Sequence, residues 1–126
     1  MKRESSDTVS KDVTVVGVSS KSKDLLDKWI NQHIINDRID GYKVAVSVAI
    51  KNELPLPDED QSYTATTWNI GSLDLDQSFA TVISLLTPYA DRPYFYSRKL
   101  AEAGFRYFDQ NGYDIDSIVD LFGSNN

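Results

Sequence analysis

Residues 42–51 read Tyr-Lys-Val-Ala-Val-Ser-Val-Ala-Ile-Lys, and the fold of the chain depends on the secondary structure that this segment adopts. In a strand, side chains alternate between two faces, so the three valines and the isoleucine would share one face. Their β-branched side chains favour a strand. In a helix, the inward stripe would consist of Tyr42, Ala45, Val46, Ala49 and Ile50. An apolar run of this length fits both patterns, so the pattern alone leaves both open.

Polar residues just before this segment favour the helix. Asp37 and Asp40 are both candidate caps for a helix that begins near residue 41. The two alanines within the segment also favour a helix. The β-branched composition and the capping signals therefore point in opposite directions.

Upstream, the chain predicts a strand followed by a helix. Residues 12–19 are short and rich in β-branched side chains, which is typical of a strand. Ser20 and Ser22 are candidate N-caps for a helix over residues 21–35. The apolar residues of this helix recur at three- and four-residue spacing and share one face: Leu25, Leu26, Trp29, Ile30 and Ile34.

Downstream, the chain predicts a loop and three helices. Residues 52–67 contain two prolines and an acidic run and are expected to form a loop, with residues 66–70 a candidate short strand. Asp74 or Asp76 would cap a helix that ends near Thr87. Its inward face would consist of Phe79, Val82, Ile83 and Leu86.

A longer helix is predicted from Pro93 to about Gln110, because Asp91 and a first-turn proline form a start signal and Gly112 a stop signal. Its inward residues would be Leu100, Ala101, Gly104, Phe105 and Phe108. A last short helix is predicted from Ile115, Ile118, Val119 and Phe122.

These elements predict one domain with a mainly helical α+β fold, containing one N-terminal strand and then about five helices. The alternative is an α/β module in which residues 13–18 and 44–50 form parallel strands around a crossover helix. Residues 1–11 are expected to be mobile, and the loop over 52–67 would separate two halves.

Composition excludes several classes of protein. The 126 residues include no cysteine, which excludes disulfides, thiolate catalysis and thiolate metal sites. No apolar run approaches the ~20 residues of a membrane span, and the first residues lack the apolar region of a signal peptide. These features predict a cytoplasmic protein without a membrane partner.

Charge is unevenly distributed along the chain. Residues 1–51 hold nine Lys or Arg against seven Asp or Glu, whereas residues 52–126 hold four against twelve. An acidic surface repels phosphates, so contact with nucleic acid is expected only in the N-terminal half.

Catalytic and metal sites have weak signals. His33 is the only histidine, and no Gly-x-Ser-x-Gly nucleophile motif or phosphate-binding glycine loop accompanies it. Asp74, Asp76 and Asp114 stand where helix caps are expected, and none of the acidic stretches 58–60, 74–76 and 114–116 has both the central Gly and the terminal Glu of a calcium loop. We therefore predict no catalytic residue, no metal site and no cofactor.

Aromatic residues are dense after residue 88. On the helix after Pro93, they cannot all face one side, because 3.6 residues complete a turn. The surplus predicts a partner-binding surface formed by Tyr94, Phe95, Tyr96 and Tyr107. Stacking on nucleic-acid bases is disfavoured here, because the surrounding sequence is acidic.

If residues 42–51 are helical, the order strand, helix, helix over about residues 11–53 resembles the ribbon-helix-helix family of dimeric DNA binders. The layout is also similar to that of the small E component of DNA phosphorothioation systems. The resemblance implies a homodimer formed through the N-terminal strand and a non-enzymatic accessory or regulatory role on DNA. DNA contacts would come from the basic residues of this half: Lys11, Lys21, Lys23, Lys28, Arg38 and Lys43. The alternative function is a protein-interaction module without nucleic-acid contact, which would use the acidic, aromatic C-terminal half.

Overall fold

The computed structural model describes residues 11–58 and 62–112. They form a mainly helical α+β fold, as the sequence predicts. The elements are β1 (Val15–Val18), α1 (Ser20–Asn31), α2 (Arg38–Lys51), β2 (Thr66–Asn69), α3 (Ile70–Leu73), α4 (Ser78–Leu86) and α5 (Pro93–Asn111). The predictions for residues 1–10, for the end of the acidic run 58–60 and for a helix over 115–122 lie outside the described residues.

Residues 42–51 are helical, so the α/β alternative is wrong. The Asp37 side chain caps α2 by accepting a hydrogen bond from the Asp40 backbone N–H at 3.1 Å. Most of the helix surface is buried, including both the valines of the strand-like pattern and the alanines of the helical one. A helix that is enclosed on several sides has no polar face, so its sequence lacks the amphipathic period that identifies a surface helix. Periodicity alone therefore did not distinguish a helix from a strand in this segment.

The two strands form an antiparallel sheet within one chain, and no second parallel strand follows α1. Val15 pairs with Asn69 and Val18 with Thr66. Val15 is exposed, whereas Val16, Gly17 and Val18 are all buried. Only glycine fits at position 17, because the backbone around Tyr63 packs closely against it and a Cβ there would lie 2.2 Å from the Tyr63 carbonyl oxygen.

The start and end of α1 differ from the prediction. Its N-cap is Ser19, whose hydroxyl oxygen accepts a hydrogen bond from the Ser22 N–H at 3.3 Å. The helix ends at Asn31 instead of residue 35, and His33 follows with a left-handed φ of 61°. Ile34 and Ile35 lie in the loop between α1 and α2 and still pack against the core.

Helix α5 lies at the centre of the molecule and contacts α1, α2, α4 and β1. All five residues predicted to face inward are buried, and Gly112 ends the helix at a positive φ of 76°. Its first turn is capped by a distant residue: the Asp12 carboxylate accepts hydrogen bonds from the Tyr94 and Phe95 backbone N–H groups, both at 2.8 Å. The negative charge of the carboxylate also interacts favourably with the positive end of the helix dipole.

Helix α4 is capped as predicted but faces differently. The buried Asp74 carboxylate accepts hydrogen bonds from the Phe79 and Ala80 N–H groups, both at 2.9 Å. Within the helix only Ile83 is fully buried. The prediction that Val82 and Leu86 face inward is wrong, because both side chains are exposed to solvent.

A buried tyrosine links α2 to α5. The Tyr42 hydroxyl lies 2.6 Å from Ser97 Oγ, which itself donates to the Tyr94 carbonyl oxygen at 2.7 Å. Burial raises the pKa of Tyr42 well above its ordinary value, because the interior disfavours the phenolate. Burial and the hydrogen bond to Asp74 raise the pKa of Tyr94 in the same direction.

We expect the free energy of unfolding to fall above about pH 10. There the unfolded chain releases the proton of Tyr42 while the folded chain keeps it, so the stabilisation present below that pH is progressively lost. Urea unfolding followed by circular dichroism across this range measures the effect. In Tyr42→Phe the alkaline decline should be shallower, and an unchanged slope in this variant would contradict the assignment.

Candidate functional site

The six basic residues predicted to contact DNA do not form one continuous patch. Lys23 Nζ and Arg38 Nη2 both bind Asp27, at 3.0 and 2.6 Å. The hydrogen bond from Lys23 and the charge and hydrogen bond of Arg38 together lower the pKa of Asp27 below its usual value. This shared carboxylate offsets part of the positive charge that α1 and the start of α2 would present.

The other four basic residues point towards different parts of the fold or into solvent. Lys21 Nζ lies 3.4 Å from Asp109 at the C-terminal end of α5. Lys43 Nζ lies 5.9 Å from the centre of the Phe79 ring on α4. Lys11 and Lys28 are exposed. The structure therefore brings Lys23 and Arg38 together and places Lys21 and Lys43 against separate helices.

A polar cluster that the sequence did not indicate joins α5 to the start of α1. The buried Glu102 carboxylate accepts hydrogen bonds from Ser19 Oγ and Ser22 Oγ, both at 3.0 Å, and from Arg106 Nε at 3.1 Å. It borders an open cleft of about 660 Å³. Because every group of the cluster has a partner, we interpret it as a structural tie between the two helices.

The predicted aromatic partner surface is divided between core and surface. Tyr94 is buried and its hydroxyl donates to Asp74 Oδ2 at 2.8 Å, so it belongs to the core and not to a partner surface. Phe95, Tyr96 and Tyr107 are partly exposed. Tyr107 lines a separate groove beside the loop that contains Leu54 and Leu56.

Phe95 and Tyr96 belong to an arginine–aromatic cluster, which we define as Tyr63, Tyr89, Arg92, Phe95, Tyr96 and Arg98. The guanidinium carbons of Arg92 and Arg98 lie 4.0 and 4.3 Å from the centre of the Phe95 ring. Such contacts are cation–π interactions. The sequence carried a signal for them, since four of the residues lie within seven positions.

A second surface, the α4 face, consists of Leu75 in the turn before α4 and of Val82, Leu85 and Leu86 on the helix. These side chains retain 89%, 46%, 77% and 65% of their full exposure. Leu85 follows Ile83 by two residues, which places it on the opposite side of the helix from the core. Residues 78–86 contain no charged side chain.

The remaining candidate residues show no convergence on one point. His33 is exposed and lies in the loop after α1. Asp76 accepts a hydrogen bond from the Ser78 N–H at 3.1 Å, in the capping role that the sequence predicts. Within residues 11–58 and 62–112, no three acidic or histidine side chains are grouped so that they could hold a metal ion. Asp114 and Asp116 lie outside the described residues.

None of the helices in the described part of the chain has the length and apolar character that crossing a bilayer requires.

Comparison of the chain with protein-family models, with curated proteins and with solved structures finds no match.

Proposed function

We propose that this chain is a non-enzymatic accessory protein that binds a basic amphipathic helix of another protein through the α4 face. The observation that carries the proposal is the exposure of Val82, Leu85 and Leu86, which share one side of an uncharged helix because they are three and four residues apart. Single exposed apolar residues are ordinary, but a contiguous group of large ones is typical of an interaction site.

The sequence of α4 supports a helix covered on two sides. Its inner side packs Ile83 and the partly buried Phe79 against the core. Its outer side is apolar as well, whereas a helix at a solvent boundary normally has a polar outer side. Covering the outer side would remove apolar surface from water, which favours binding at roughly 25 cal/mol per Å² of that surface.

The α4 face continues into an apolar groove. Leu86 also lines a groove of about 320 Å³ between the ends of α2 and α4 and the middle of α5. Its other apolar walls are Ile50, Leu54, Pro88, Tyr89 and Leu100. An aliphatic side chain from a bound helix fits such a groove, in the manner of helix-in-groove recognition.

Charge around this surface favours a basic partner. The forty residues 52–91 contain seven acidic residues and no Lys or Arg. Glu53 lines the groove and Asp76 lies at the start of α4, and both are exposed. A second copy of a chain with net charge −6 would meet like charge at this rim, whereas lysines flanking an apolar stripe would complement it.

The test is fluorescence anisotropy with a labelled synthetic helix of leucine and lysine that has one apolar stripe. We expect binding in the micromolar range, and Leu85→Ser should weaken it by about tenfold because a central apolar contact is lost. Leu85→Ser keeps the net charge and removes an exposed side chain, so the thermal unfolding midpoint should not fall. The matched control is Asn31→Ser on the exposed side of α1, which should leave binding unchanged.

Two further measurements distinguish a basic amphipathic helix from other partners. A peptide of the same composition with its apolar stripe scrambled should bind weakly, and equal binding would contradict recognition by the α4 face. Light scattering should report a monomer at micromolar concentration. A dimer that dissociates in Leu85→Ser would replace the basic partner by a second copy of this chain.

A second candidate, contact with duplex DNA through the N-terminal half, remains a proposal. Lys11, Lys21 and Lys28 are exposed and support it. Because Asp27 and Asp109 offset part of the positive charge of this half, we expect weak, sequence-independent binding that falls steeply with salt. A dimer through β1 would use the edge of that strand opposite β2.

A further inference from the structure

The arginine–aromatic cluster holds two guanidinium groups in fixed positions. Arg92 and Arg98 both lie against the Phe95 ring, and Arg98 also lies 5.2 Å from the centre of the Tyr63 ring. Arg98 Nε donates to the Phe95 carbonyl oxygen at 3.1 Å, which further restricts the side chain. A restrained guanidinium loses less conformational entropy when it binds an anion.

These two arginines differ from the paired cations elsewhere in the fold. Lys21, Lys23, Arg38 and Arg106 each have a carboxylate within 4.0 Å. In residues 11–58 and 62–112, no carboxylate lies within that distance of Arg92 or Arg98. The nearby Asp12 carboxylate is engaged by the N-terminal N–H groups of α5, and Asp91 is exposed.

Two stacked aromatic rings adjoin Phe95 within the cluster. The Tyr96 ring meets Phe95 edge-on, with ring centres 5.1 Å apart. Tyr96 stacks on Tyr89 with ring centres 4.5 Å apart and planes 16° apart. Both tyrosines are partly exposed, so flat surface suitable for stacking lies next to the two guanidinium groups.

We propose that the arginine–aromatic cluster binds single-stranded nucleic acid, with Arg92 and Arg98 on phosphates and the tyrosine pair stacked on a base. The combination of cations and stacking rings fits a nucleotide chain, whereas a lone phosphate on a peptide would leave the tyrosines unused. A duplex hides its base faces and could reach only the arginines. The cluster adjoins the groove beside α4 through Tyr89, but it contains none of the residues of the α4 face, so the inference does not rest on the proposed protein partner.

The C-terminal half is acidic on average, but its basic residues are concentrated at α5. All four Lys or Arg residues after position 51 lie in α5 or immediately before it: Arg92, Arg98, Lys99 and Arg106. Two of them, Arg92 and Arg98, belong to the cluster. The average acidity of this half therefore does not disfavour base stacking here, because two guanidinium groups lie against the Phe95 ring.

The experiment measures the anisotropy of a fluorescein-labelled oligothymidine of about 15 nucleotides with the full chain. Binding is expected to be micromolar at low salt and to weaken as salt rises. Arg98→Gln and Tyr96→Leu should each weaken it by about tenfold, whereas Tyr96→Phe should retain it. The control Lys51→Gln makes the same charge change as Arg98→Gln on an exposed residue outside the cluster and should alter affinity less than about twofold.

Circular dichroism establishes that each variant is folded, and Arg92→Gln replaces Arg98→Gln if the latter is not. Equal losses in Lys51→Gln and Arg98→Gln would overturn the proposal, because binding would then follow net charge only. Tighter binding to a duplex of the same length than to the oligothymidine, if it is lost in Lys21→Gln, would overturn the proposal and indicate a site in the N-terminal half. Tighter binding to a phosphotyrosine peptide than to the oligonucleotide would also overturn it.

Discussion

Replacing Gly104 with alanine is expected to destabilise the protein by about 3 kcal/mol, although alanine is the better helix former. A Cβ at this position would lie 2.0 Å from the carbonyl oxygen of Ala45 and 2.8 Å from its Cα. These atoms belong to the backbone of α2 and cannot rotate away. The two helices would have to separate, and the contact between α2 and α5 is the most extensive one between elements of this fold.

Gly71→Ala is the matched control. Gly71 lies in α3, and a Cβ there would meet no atom within 4 Å. Urea unfolding followed by circular dichroism should show a large loss of stability in Gly104→Ala and none in Gly71→Ala. Equal stability of Gly104→Ala and the parent chain would mean that α2 and α5 do not approach this closely.

Val46→Lys is expected to prevent folding. Val46 retains 1% of its exposure in the middle of α2, so the ammonium group would enter the core without a partner. Burying an unpaired charge costs several kcal/mol, which is comparable to the entire free energy of unfolding of a typical domain, about 5–15 kcal/mol. Circular dichroism should show loss of helix, and gel filtration an expanded or aggregated chain.

The neighbouring residue provides the control for this variant. Ser47 is exposed on the same helix, and its hydroxyl donates to the Lys43 carbonyl oxygen at 2.8 Å. Ser47→Lys adds the same charge at nearly the same position in the chain and should remain folded. A soluble Val46→Lys protein with a parental thermal midpoint would show that α2 is not enclosed.

The two kinds of variant separate folding from function. Gly104→Ala and Val46→Lys act on the contacts that hold α2 and α5 together, and both proposed surfaces depend on elements attached to them. Leu85→Ser and Tyr96→Leu each change one surface and should leave binding at the other unchanged. Loss of both activities in either surface variant would indicate damage to the fold.

The sequence by itself was sufficient where signals are local. The start of α5 at Pro93, its end at Gly112 and its five inward residues were all predicted, since caps and helical periodicity act within a few turns. Capping by Asp74 was also predictable, because an Asp before an apolar run is a start signal.

Only the tertiary structure decided the features that depend on distant residues. Residues 42–51 form a helix because neighbouring elements enclose them, and such burial removes the polar face that periodicity requires. Asp12 caps α5 by accepting a hydrogen bond from the Tyr94 N–H, 82 positions away in the chain. Glu102 accepts a hydrogen bond from Ser19 Oγ, 83 positions away. The division of the aromatic residues between the core at Tyr94 and the surface at Tyr96 arises in the same way, because burial is set by the elements packed around a side chain and not by its neighbours in sequence.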